Sequence, residues 1–141
     1  MRRVARLACA CLLGVLGVAH AADLTVDVAA VDAHGKGRLA VWLYASSAEW
    51  DAPRRPVLAQ GEAVTGRGHA RFVFRGLAPG EYAVMVLHDL DGNGLFDRNA
   101  LGIPRDGYGF SNNPVALGRP GFARVRFVVP AAGAAAMVRM R

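Results

Sequence analysis

The chain has 141 residues, with 17 lysines and arginines against 11 aspartates and glutamates, a formal net charge of +6. That length fits one domain. The charge is inflated by the first segment: without residues 1–21 the balance is 14 basic to 11 acidic, or +3, too mild to imply a nucleic-acid partner.

The opening "MRRVARLACACLLGVLGVAHA" reads as an export signal. Arg2, Arg3 and Arg6 form a positive start, residues 7–18 an apolar core, and Ala19, His20 and Ala21 a small-x-small cleavage site. The apolar run is too short to span a bilayer comfortably. The expected product is residues 22–141, cleaved after Ala21, periplasmic or secreted, with no transmembrane anchor. Cys9 and Cys11, the two cysteines of the chain, leave with the signal. The mature domain then has no disulfide, although its compartment would permit one.

From there the period is two nearly everywhere. Leu24, Val26 and Val28 alternate with Thr25 and Asp27 in a first strand, and 33–37 is a turn. Residues 38–45 follow, with Leu39, Val41 and Leu43 on one face and Trp42 and Tyr44 on the other. Pro53 and Pro56 limit the 46–60 connection to a short helical turn from Ser47 to Trp50. Residues 62–66 read as a short edge strand. In 66–77, Ala70, Phe72 and Phe74 point inward. After a turn at Pro79 and Gly80, residues 83–87 are apolar at every position, so both faces need cover. Residues 122–130 place Val125, Phe127 and Val129 inward, and 134–141 make a last strand with Val138 and Met140 on one side. The expected fold is all-β, an antiparallel immunoglobulin-like or transthyretin-like sandwich of about seven strands, with one long loop packed on a sheet. In that loop Leu101, Ile103, Tyr108 and Phe110 are the expected packing residues.

The long polar segment begins "HDLDGNGLFD". Asp89, Asp91, Asn93, Gly94 and Asp97 fit the first nine positions of a calcium loop, with the Leu95 carbonyl as a further oxygen. Alternate side chains in a tight turn can converge on one point, and Gly94 permits the bend. The twelfth position holds Ala100 where such loops carry a bidentate glutamate. Two readings stand: weak calcium binding, on the order of 10⁻⁴–10⁻³ M, or an Asx-rich turn whose side chains cap its own backbone.

The run "HDLDGNGLFDRNALGIPRDGYGFSNN", preceded by "LAPGEYAVMVL", resembles the signature of an exported bacterial family, domain of unknown function 2141. The resemblance extends from the "LTVDV" strand to the final strands. It implies a small exported β-sandwich and no activity, so none of its matching residues inherits a catalytic role. The "GLAPGEYAV" turn is also similar to that of transthyretin-like sandwiches, but the tyrosine-arginine-glycine-serine end of their hydrolases is replaced here by "MVRMR".

Two other patterns bear on function. His88, an aspartate and Ser111 could be drawn as a hydrolytic set, although a histidine at a strand end more often only hydrogen-bonds. His34, His69 and His88 have no zinc-ligand spacing. Arg67, Arg71, Arg75, Arg124, Arg126 and Arg139 form either an anion-binding surface or a charged exterior that discourages edge pairing. The expectation is a non-catalytic binding or structural module acting with an unknown envelope component. A small hydrolase using the His88 and Ser111 region is the alternative.

Overall fold

A computed structural model describes residues 21–31, 37–52, 56, 58–63, 68–116 and 118–141. Residues 1–20 of the expected signal segment, most of the 33–37 turn, Pro53 and Arg67 lie outside them, as does His34. The elements run β1 (Ala22–Ala29), β2 (Arg38–Tyr44), α1 (Ser47–Asp51), β3 (Leu58–Ala63), β4 (His69–Leu77), β5 (Gly80–Asp89), β6 (Gly107–Phe110), α2 (Phe122–Val125), β7 (Phe127–Val129) and β8 (Ala134–Arg139). Among the described residues no helix is long and apolar enough to cross a membrane.

The strands form two sheets. One has the order β4-β1-β8; the other has β3-β2-β5-β6, with β7 also on β5. The protein is therefore an all-β sandwich. Among the described residues its strand pairs are antiparallel with one exception, since β1 and β8 run parallel from Leu24↔Ala134 to Ala29↔Arg139. A parallel pair cannot be closed by a hairpin. It joins the first and last described strands, a pairing that local alternation does not encode.

The space between the sheets is filled as the period-two pattern requires. Leu24, Val26 and Val28 of β1 meet Leu39, Val41 and Leu43 of β2, Val84 and Val86 of β5, Phe72 and Phe74 of β4, and Val138 of β8 in one cluster. At the β4–β5 corner the Tyr82 hydroxyl donates to the Ala78 carbonyl at 2.7 Å, fixing the turn that starts the central strand. On the exterior of the two sheets, Asp27 pairs with Arg71, Asp23 with Arg75, and Glu81 with Arg126. Asp27 holds the Arg71 guanidinium above its ordinary pKa, first by hydrogen bonding and then by charge. Those arginines form a paired, solvated exterior.

β5 is the hub. β2 lies along one edge; the other edge is divided between β6, opposite residues 85–88, and β7, opposite residues 80–82. Two expectations change here. The strand foreseen at 122–130 begins with a helical turn, so Val125 is fully buried but joins the outer cluster while Val129 joins the inner one. Of the edge strand foreseen at 62–66, residues 62 and 63 belong to β3, which starts earlier at Leu58 and pairs with β2; 64–66 lie outside the described residues.

Candidate functional site: an aromatic recess beside an amide-capped loop

The second face of the five-stranded sheet carries Trp42 and Tyr44 from β2 and Ala83, Met85 and Leu87 from β5. Alternation along each strand puts these residues opposite the inter-sheet core. Their cover comes mainly from the two short helices and β6. Ser46 caps α1 by accepting from the Glu49 amide at 3.2 Å, and the Glu49 carboxylate reaches back to the Ala45 amide at 2.8 Å. This Ser-x-x-Glu arrangement fixes the direction in which α1 delivers Trp50. The Trp50 indole packs edge-on against Tyr44 and Phe110 and donates to the Pro120 carbonyl at 2.9 Å. Phe122 and Val125 complete the patch from α2.

The expected lid is corrected in two of its four residues. Leu101 and Ile103 are 83% and 55% exposed. Tyr108 and Phe110 do face the sheet's second side, as alternate residues of β6, and the long loop contributes Phe96, stacked edge-on against Tyr108. The "GIP" tip projects because Asn99 closes it on itself: its side-chain oxygen accepts from the amides of Leu101 and Ile103. A turn satisfied internally has no need of the sheet.

Incomplete cover leaves a recess of about 540 Å³. Trp42, Met85, Phe96, Tyr108 and Phe110 supply its apolar lining; Arg98 and Arg119 also border it. The Arg98 guanidinium lies 4.8 Å from the Phe96 ring centre, and that of Arg119 lies 4.2 Å from Trp50 and 5.3 Å from Tyr44. Sequence reading singled out neither arginine. The available signal was indirect: two strands apolar on both faces called for cover, and both arginines lie in the 98–121 segment expected to supply it.

The acidic loop is held by backbone amides. Asp89, 4% exposed, accepts from Gly92 N at 2.8 Å and Gly94 N at 2.6 Å, one on each carboxylate oxygen. Both glycines have positive φ, which turns their amides back toward that carboxylate. Asp106, 5% exposed, accepts from Leu90 N at 3.2 Å and Asp97 N at 2.8 Å. Asp91 accepts from the Asn93 amide at 3.0 Å, and the Asn93 side-chain oxygen accepts from Leu95 N at 2.6 Å. The Asn93 Nδ2 donates to Asp91 at 3.1 Å and to Asp97 at 2.7 Å, so it lies between the two carboxylates. Among the described residues no three His, Cys, Asp or Glu side chains gather in a way that could hold a metal ion.

Ser111 and its neighbours form a separate device. The buried Ser111 hydroxyl accepts from Val84 N at 2.9 Å and donates to the Val125 carbonyl at 2.6 Å. Asn112 donates to the carbonyls of Arg124 and Arg126. Asn113 donates to the Met137 carbonyl and accepts from Arg139 N, standing in for a strand along the edge of β8. Both asparagines have positive φ, which this residue type tolerates. Three consecutive side chains thus bond to β5, to the segment around α2 and to β8. His88 is buried at the other end of β5, opposite Gly107. Ser111 bonds at Val84, four residues away, or roughly 13 Å along a strand. The fold does not bring the two together.

Neither a curated protein nor a solved structure matches the chain. A family model described as an uncharacterised protein conserved in bacteria, DUF2141, matches residues 26–137. That stretch reaches from β1 into β8 and includes the aromatic recess, the amide-capped loop and the Ser-Asn-Asn clasp. The chain belongs to the DUF2141 family.

Proposed function

We propose that this protein is an exported, non-catalytic binding module whose ligand site is the aromatic recess on the second face of the five-stranded sheet. The observation that carries the reading is the recess itself. Its volume falls within the roughly 300–1,000 Å³ typical of small-molecule sites, and its lining has their usual character, mostly apolar and aromatic with a few polar groups. Export is supported by the charged start, apolar core and cleavage pattern of residues 1–21. The hydrolytic alternative has less support, because the Ser111 hydroxyl is occupied on both sides by backbone.

For the acidic loop the same proposal includes weak calcium binding by exchange. A cation would replace the Asn93 Nδ2 between Asp91 and Asp97 and take the Leu95 carbonyl, while Asp89 continues to cap the turn. Calorimetric titration with calcium chloride is expected to show millimolar affinity; no heat and no thermal stabilisation would remove this part of the proposal.

The binding reading is tested with a neutral N-phenylnaphthylamine dye, whose emission rises in apolar surroundings. The purified domain is expected to enhance it saturably, and Met85→Phe, which narrows the recess from its floor, to weaken the enhancement. An equal response from both proteins would mean that the dye binds elsewhere and the recess is not a site. Mass spectrometry of the protein recovered from cells is expected to find a chain starting at Ala22; an uncleaved amino terminus would overturn the export part.

A further inference from the structure

Two of the groups bordering the recess are cations, and they set what could occupy it. Among the described residues, Asp23, Asp27 and Glu81 each hold an arginine, but none of these is Arg98 or Arg119. Arg119 is exposed and lies on the Trp50 and Tyr44 rings; Arg98 is exposed, lies by the Phe96 ring and gives one N–H to the Gly102 carbonyl at 2.9 Å. A guanidinium has five N–H donors along its edges, and those not already bonded can meet a carboxylate side by side. Arg71, Arg75 and Arg126 are each neutralised by a carboxylate. Here two charges without a carboxylate partner border an apolar cavity.

Resting on the binding reading above, we infer that the recess takes a single-chain anionic amphiphile. Its apolar body lies on Trp42, Met85, Tyr108 and Phe110, and its carboxylate meets Arg98 and Arg119. A neutral apolar ligand would leave both guanidiniums as they are. An anion adds charge-assisted bonds, which are about twice as strong as neutral ones. A cationic amphiphile with the same tail would meet repulsion at the mouth.

The test compares three probes of equal tail length below their micellar concentrations: decanoate, decanol and decyltrimethylammonium, each displacing the neutral dye. Decanoate is expected to bind roughly tenfold more tightly than decanol, and decyltrimethylammonium the most weakly. Arg98→Gln and Arg119→Gln should each remove most of the preference for decanoate over decanol; both side chains are exposed, so the domain should still fold. Arg119→Lys should restore part of it. Equal affinity for the three probes, with the dye still bound, overturns the anion inference and leaves the recess reading standing. Failure of the dye itself overturns both. Phosphatidylglycerol vesicles provide the last arm: co-sedimentation with vesicles, without displacement by monomeric decanoate, would assign the arginines to a membrane surface and sink the inference.

Discussion

β2 and β5 show one face to the other sheet and one to the recess, and the two faces are built differently. The inner face is aliphatic and tightly filled: Val41, Val84 and Val86 are fully buried, and Leu39 and Leu43 are nearly so. Side chains from two sheets interdigitate there across a gap of about 10 Å. The outer face uses rings and is covered by two single-turn helices and a four-residue strand. Rings packed edge-on keep specific orientations, and these short elements leave part of the face uncovered. The inner face thus secures the fold, and the outer face keeps a vacancy, from residues alternating along the same strands.

Several measurements can break or sharpen that contrast. The largest effect is expected from Leu43→Ala, which opens an inner cavity and should cost about 2–5 kcal/mol in urea unfolding. If the loss is below 1 kcal/mol, the inner face is not close-packed. Next comes Ser111→Ala, which strips a partner from the Val84 amide and the Val125 carbonyl at once; a loss of about 1–3 kcal/mol is expected. Wild-type stability would show that the clasp is dispensable. Enlarging side chains separates the faces directly. Val41→Phe overpacks the inner gap and should cost about 1–3 kcal/mol, whereas Met85→Phe enters the recess and should cost less than about 1 kcal/mol. Equal costs from this pair would erase the distinction between the faces. The smallest expected effect is on the paired exterior: Arg75→Ala should change the melting temperature little, because an exposed ion pair contributes about 0–1 kcal/mol.

The inner face was legible from alternation alone, since Leu24, Val26, Val28, Phe72, Phe74 and Val138 face inward as the period requires. The need for cover over Trp42 and Met85 was also legible. What covers them was legible in part: Tyr108 and Phe110 were foreseen, but not the strand that carries them. β6 is only Gly-Tyr-Gly-Phe, a composition that reads as loop. Its glycines have a tertiary reason: a Cβ on Gly109 would lie 2.6 Å from Val138 Cγ1 and 2.8 Å from the Arg139 carbonyl oxygen, where β8 passes close. The acidic loop illustrates a different difficulty. Its spacing suits a cation and also suits capping by amides, and letters alone do not say which way Gly92 and Gly94 turn their N–H groups. The polar run 111–113 offered candidate chemistry, yet its partners are backbone atoms tens of residues away, which no local pattern encodes.

The divided edge of β5 has a consequence for how the chain acquires its shape. Residues 83–87, apolar throughout, are synthesised well before the segments that complete that edge, β6 and β7. Until Phe110, Ser111 and Phe127 arrive, an unpaired apolar strand offers its amides and carbonyls to any passing chain. Such distant pairings form slowly, typically in milliseconds to seconds. The hazardous interval ends only when the last third of the polypeptide docks, so aggregation during refolding should rise steeply with concentration.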